Sequence, residues 1–293
     1  MPDFEYLVTH HAKLLQQVMV SDLHLSPNEP ALMQAFLDLL DALAILPNLS
    51  RLWILGDWFE AWLGDDVANT NLMQGWLTPM VTKLQRLSDS GCQIYVMHGN
   101  RDFLIGQKFC SQFGGTLIKE PFYLQLNGQK VRLEHGDALC TDDKQYQRFR
   151  RIIQNPFTKR LLLALPIKKR EQIAHDLRQK SQADNVKKSL HIMDVNELAV
   201  KKALQHADIL IHGHTHRPAE HQVGNKKRIV LGDWRIKDNP AEHKEGNKKR
   251  IELGDWRIKD NVATVIGVAL ASDDAGFINQ SIILCKFFAK PAA

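Results

Sequence analysis

The stretch ILIHGHTHRP, residues 209–218, places His212, His214 and His216 within five positions, directly after an apolar run. Imidazoles there serve as metal ligands, as acid–base groups, or as polar residues where the chain leaves the core. Four earlier stretches end in the same way. QQVMVSDLH ends in Asp22 and His24, and RLWILGDWFE carries Gly56 and Asp57. CQIYVMHGNRD carries Gly99, Asn100 and Arg101, and KVRLEHGD carries His135. Each motif alone is weak, because a lone histidine at a strand end is more often a hydrogen-bonded polar residue. The ordered set D-x-H, G-D, G-N-R-D, H-G-D, G-H-T-H, each after an apolar run, is a far stronger signal.

The donors are two aspartates, one asparagine carbonyl and four imidazoles, with no thiolate. Such a mixed set favours Mn²⁺, Fe or Zn²⁺ and is too rich in nitrogen for Ca²⁺. Seven donors are too many for one tetrahedral ion but suit two ions that share a carboxylate. Two metals about 3.5–4 Å apart clamp a phosphoryl group and activate the attacking water.

The elements that must position these residues follow from periodicity. Apolar runs alternate with helical patterns, as in EPALMQAFLDLLDAL and TPMVTKLQRLSDSG, the latter with Gly91 as its stop. That alternation predicts an α/β fold, in which ligands gather beyond the carboxyl ends of the strands. Glycines 56, 99, 136 and 213 suit turns in which backbone and ligands approach closely. From Asp142 to about Gln205 the chain is helical and basic and lacks strand signals, which reads as a cap inserted between core strands. Residues 1–293 otherwise read as one domain.

The chain of 293 residues is 44% hydrophobic and 24% charged, as expected of a soluble globular protein. Its net charge of +5 is unevenly spread: Lys144 to Lys188 holds thirteen Lys/Arg against three Asp/Glu, so the rest is net acidic. Four scattered cysteines indicate neither a disulfide framework nor a zinc knuckle, and a reducing cytoplasm fits. The N-terminal stretch lacks an apolar signal-peptide core, and no run is long enough to span a membrane. A tandem repeat follows the last histidine motif. PAEHQVGNKKRIVLGDWRIKDN (218–239) is followed by PAEHKEGNKKRIELGDWRIKDN (240–261), with three differences, Gln222/Lys244, Val223/Glu245 and Val230/Glu252. No expected ligand falls in either copy, so neither is expected to matter to the metals. A half-buried strand tolerates Val230 better than Glu252 at an inward position, which favours the first copy as the native strand.

The ordered motifs resemble those of the calcineurin-like metallophosphoesterases, from about Val18 to His216. SDLHLS, LGDWFEAWLGDD, HGNRDFLIG, HGDALCTDD with Tyr146, and HGHTHRP are most similar to the branch that hydrolyses the diphosphate of a UDP-linked diacyl sugar in lipid A biosynthesis. The resemblance implies a four-layer α/β/β/α metallophosphoesterase sandwich with a helical cap insertion, and two Mn²⁺ per chain. By motif, Asp22, His24, Asp57 and His216 would hold one ion. Asp57, Asn100, His135 and His214 would hold the other, with Asp57 bridging. His212 is not expected to be a ligand. Asn100 and Arg101 are the expected catalytic pair, Arg101 stabilising charge on the phosphoryl oxygens. Asp143, Tyr146, Ser181, Asn185 and Lys188, with Asn100, Arg101 and His214, would grip the substrate. Trp58 and Trp62 read as packing.

The resemblance also implies a cytoplasmic protein at the anionic inner-membrane surface. The stretch NPFTKRLLLALPIKKR (155–170) sets leucines between basic pairs and reads either as a core-packed helix or as a surface for acyl chains and lipid head groups. Nucleic acid is not expected, because the cap lacks interleaved aromatics. The rivals are a nuclease or dinucleotide hydrolase of the same fold, and a metal-bound scaffold without turnover. A full set of seven donors argues against the scaffold.

Overall fold

The computed structural model describes residues 4–187, 192, 194–235, 264–271 and 282–288. Runs that are apolar at nearly every position become the central strands, since only a strand covered on both faces can bury them all. β1 (Gln17–Val20), β2 (Arg51–Leu55), β3 (Gln93–Met97) and β4 (Thr116–Ile118) run parallel in that order. β11 (Thr264–Ala271) lies antiparallel to β1 and pairs with β10 (Trp234–Arg235) and β12 (Ile282–Phe288). A second sheet has the order β5 (Phe122–Leu126), β6 (Gln129–Leu133), β7 (Ile209–His212), β9 (Lys226–Val230) and β8 (Ala219–Val223).

Side chains alternate across the first sheet. Val18, Val20, Leu52, Ile54, Ile94 and Val96 face helices α1 (Phe4–His11), α2 (Pro30–Ala44) and α3 (Asn71–Asp89). Met19, Trp53, Leu55 and Met97 face the second sheet, meeting Val131, Leu133, Ile209, Ile211 and Ile229. Trp58 is fully buried among Phe36, Phe59, Phe109 and Phe113, and Trp62 packs on Phe59 and on Phe109 of the short helix α4 (Gln107–Cys110). Both tryptophans are core. The N-terminal segment has a use that its sequence did not reveal: Phe4 and Leu7 of α1 are buried in the same core.

The cap consists of α5 (Lys144–Ile153), α6 (Pro156–Ala164) and α7 (Ile167–Lys187). Arg170 of α7 is buried and clasps the Asp66 carboxylate and the Leu63 carbonyl, fastening the cap to the loop after β2. The expected insertion extended to about Gln205, but α8 (Glu197–Leu204) lies within it and does a different job. Its Val200, Ala203 and Leu204, one apolar stripe, pack with Leu210 of β7 and Leu139. This helix is the outer layer over the second sheet, and the order helices, sheet, sheet, helix completes the α/β/β/α sandwich.

The first repeat copy supplies β8, β9 and β10. Ile229 and Val230 are both buried, so a glutamate at Val230 would bring an unpartnered carboxylate into the core. The second copy lies outside the described residues.

Candidate metal centre

Strand register decides what meets. β1 and β2 pair with Val20 beside Ile54, and β6 and β7 pair with Leu133 beside Ile211. Their carboxyl ends therefore release the chain at one place between the two sheets. The turns interlock through the backbone, Asp22 N donating to Gly56 O (3.0 Å), His24 N to Asp57 O (3.0 Å) and Gly213 N to His135 O (2.8 Å). A β-carbon on Gly99 would lie 2.0 Å from Asp57 Oδ1, and one on Gly213 would lie 1.7 Å from Ser21 Oγ. Those two glycines let the turns close on the carboxylates.

Five of the seven expected ligands adopt the left-handed backbone: Asp22 (φ 56°), His24 (49°), Asp57 (50°), His214 (67°) and His216 (55°). That region costs a residue with a β-carbon about 1–2 kcal/mol. Such conformations persist where the surroundings over-determine them, and they gather at functional sites. Here the interlocked turns supply the constraint.

Two groups of donors result. Asp22, His24 and His216 bring ligand atoms within 4.8 Å of one another, and so do Asp57, His135 and His214. Asn100 joins the second group, its Oδ1 3.1 Å from His135 Nε2, which in turn lies 3.7 Å from Asp57 Oδ1. His212, though buried, belongs to neither group: its Nδ1 lies 2.8 Å from Gly213 O.

The donors fit cations on physical grounds. His24 Nδ1 lies 3.5 Å from Glu60 Oε2, and His216 Nδ1 lies 3.3 Å from Asp233 Oδ2. The Nε2 atoms of His24 and His216 lie 3.4 Å apart, and His216 Nε2 also lies 3.3 Å from Asp22 Oδ1. A divalent cation between them would be met by both nitrogens and by the Asp22 carboxylate. His135 Nδ1 similarly donates to Leu55 O (3.1 Å) and turns Nε2 inward.

Without metals the site is electrostatically divided. Burial and Arg101 lower His24 to about 3, and burial and His135 lower His214 to about 3. Burial also opposes charge on His216, but Asp22 and Asp233 outweigh it and raise His216 to about 10. For His135, Asp57 and Asp22 overcome burial and raise it to about 9. Burial raises Asp57 and the Asp22 charge adds to it, although His135 and Arg101 pull the other way. Two imidazolium protons thus hold the positions of positive charge.

The remaining expected residues are placed unevenly. Arg101 N donates to Asp57 Oδ1 (2.9 Å), while its guanidinium contacts Glu60 and approaches Asp57 Oδ2 at 3.7 Å. Asp143 caps α5 by accepting from Tyr146 N at 3.0 Å. Tyr146 lies over His214 with 6.0 Å between ring centroids, and its hydroxyl donates to Asp137 at 2.6 Å. Ser181 is an exposed residue of α7, and the backbone of Asn185 belongs to the same helix. Lys188 lies outside the described residues.

Four carboxylates had no place among the expected residues. Asp102 accepts from Trp58 N (2.8 Å) and Gly99 N (2.7 Å), tying the turns after β2 and β3 together. Glu60 joins His24, Arg101 and Arg178 of the cap. Asp137 receives Tyr146 and Arg150. Asp233, from the first repeat copy, meets His216, which corrects the expectation that the repeat is irrelevant to the metals. Asp102 and Asp137 stood inside the motifs G-N-R-D and H-G-D, and Glu60 and Asp233 inside RLWILGDWFE and the first repeat copy, but only folding reveals which histidines the last two meet.

Residues 17–218 match the calcineurin-like phosphoesterase family, and the chain belongs to it. Dinuclear centres at converging strand ends are what this class of fold and site provides. Among curated proteins, the chain is similar to UDP-2,3-diacylglucosamine hydrolase of Pseudomonas fluorescens, 46% identical over 223 residues, which is 74% of this chain and 87% of that protein. The protein of the same name from Pectobacterium carotovorum is 47% identical over 223 residues, 74% of this chain and 90% of that one. Among solved structures, Vacuolar Protein Sorting 29 from Cryptosporidium parvum matches at 11% identity over 93% of this chain and 97% of that one, with a TM-score of 0.36.

Proposed function

We propose that the protein is a Mn²⁺-dependent hydrolase that cleaves the diphosphate of UDP-2,3-diacylglucosamine to UMP and 2,3-diacylglucosamine 1-phosphate. The observation that carries this reading is the convergence of two donor groups with Arg101 and Tyr146 beside them, in a chain 46–47% identical over 223 residues to hydrolases of that name. When bound, two divalent ions supply Lewis acidity to a phosphoryl oxygen and acidify water. Asp22, His24, Asp57 and His216 would hold one, and Asp57, Asn100, His135 and His214 the other.

The chain's own groups do the rest. The Arg101 guanidinium, 35% exposed and paired with Glu60, lies beside the donor groups, where it would neutralise charge on phosphoryl oxygens. Asn100 and His214 position the phosphoryl group. Asp143 fixes the first turn of α5 and thereby Tyr146, whose ring borders the site. Ser181, Asn185 and Lys188 are assigned to the nucleotide and sugar diphosphate by motif position alone.

The cap supplies the lipid-facing part of the reading. Phe157, Leu161, Leu163 and Leu165 are exposed, the three leucines between Lys159–Arg160 and Lys168–Lys169 in sequence. Exposed leucines between cations suit acyl chains and an anionic membrane surface. No helix among the described residues is long and apolar enough to cross a membrane, and the reading places the protein peripherally on the cytoplasmic face of the inner membrane.

Incubation of the purified protein and Mn²⁺ with UDP-2,3-diacylglucosamine is expected to release UMP, and no UMP would overturn the reading. Arg101→Ala is expected to lower kcat by about 10²–10³-fold. Asn185→Ala and Lys188→Ala are expected mainly to raise KM. Equal hydrolysis of the acyl-free UDP-sugar would remove the acyl-binding role of the cap.

A further inference from the structure

We propose that Asp233 is a positioning residue for His216, fixing its tautomer and thereby setting the affinity of the ion held by Asp22, His24 and His216. The proposal rests on the two-ion reading above. It begins with where LGDW lies. Leu231 N donates to His212 O (2.7 Å) and Trp234 N donates to Asp22 O (3.1 Å), so the residues on either side of Asp233 are fastened to both ligand-bearing turns. The indole of Trp234 is buried and meets Phe36 edge-on, 5.9 Å between centroids. Asp233 is thus held nearly buried, with Oδ2 3.3 Å from His216 Nδ1.

A carboxylate on Nδ1 of a ligating imidazole fixes the ring, keeps the proton on Nδ1 and makes Nε2 a better donor. His216 Nε2 is the atom that faces both Asp22 Oδ1 (3.3 Å) and His24 Nε2 (3.4 Å). Without Asp233 the neutral ring could carry its proton on Nε2 instead and lose its donor. The same backing reaches His24 from Glu60, which also holds Arg101 and Arg178.

The duplication sharpens the assignment. Asp255 stands in the second LGDW as Asp233 does in the first. The first copy forms β9 and β10 beside the ligand turns, which assigns this role to Asp233.

The test is Mn²⁺ titration of the chelator-stripped full chain by calorimetry, with thermal melting to establish folding. The wild-type chain is expected to take up two equivalents. In Asp233→Asn, one equivalent should keep its Kd and the other weaken by about 10–100-fold. Asp233→Glu should recover part of the loss, and Asp255→Asn should match wild type. Should Asp233→Asn fail to fold, Asp233→Ser is read in the same way. Two unchanged equivalents, an equal weakening of both, or the loss appearing in Asp255→Asn would overturn the proposal. A wild-type chain that binds no Mn²⁺ would instead refute the two-ion reading itself.

Discussion

In one half of the centre, the imidazoles of His24 and His216 turn Nδ1 toward carboxylates, those of Glu60 and Asp233. In the other half, His135 turns Nδ1 toward a neutral carbonyl, that of Leu55, and an amide oxygen, that of Asn100, replaces one carboxylate-backed imidazole. A carboxylate behind an imidazole strengthens its donor nitrogen, whereas a carbonyl orients the ring without adding charge. On that ground the first half is expected to retain its ion more tightly. The second sits beside Arg101 N and Tyr146, where the substrate groups gather. The difference teaches that retention and reaction need not be shared equally between two similar sets of ligands.

The largest expected effect erases the comparison. Asp57→Ala removes the carboxylate assigned to both ions, and turnover should fall below about 1% with loss of both metals, measured by metal content and initial rate. Retention of two metals per chain at normal rate would refute the bridging assignment. Next, the histidines of the last motif should separate the halves. His216→Gln should lose the ion near Asp22, and His214→Gln the ion near Asn100, each with most of the activity. His212→Gln should keep substantial activity, because its Nδ1 faces a carbonyl and it stands outside both groups. Equal losses in all three would show that His212 has a larger part.

A smaller effect concerns pH. His216, raised to about 10, and His135, raised to about 9, are both protonated near neutrality in the metal-free protein. A metal must displace those protons, so uptake should release about two protons and apparent affinity should rise with pH. The rise should continue until pH passes the folded-state values, about tenfold per pH unit for each proton displaced. Affinity that falls from pH 7 to pH 9 would contradict this charge pattern. The smallest effect belongs to the repeat: deleting residues 240–261 should leave activity and melting temperature unchanged. A clear drop in both would mean that the second copy is built into the fold.

The candidate ligand set was legible because each member follows an apolar run and a close turn, a signal confined to neighbouring residues. The β/α alternation was legible for the same reason, and so was the preference for Val230 over Glu252. What escaped depends on convergence across the chain. Asp233 and Glu60 are ordinary acidic residues until folding sets them against His216 and His24. The left-handed backbone of five candidate ligands leaves no mark in residue type. α8 read as cap because its helical pattern continues that of the insertion, and only Leu210 beneath it distinguishes core from cap. The basic excess was legible as charge but not as use, since Arg150, Arg170 and Arg178 turn inward to fasten the cap.

The most direct test of the centre is anomalous diffraction from crystals of the Mn²⁺-loaded full chain. Two peaks are expected, one among Asp22, His24, Asp57 and His216, the other among Asp57, Asn100, His135 and His214. A single peak, or a peak ligated by His212, would contradict the account.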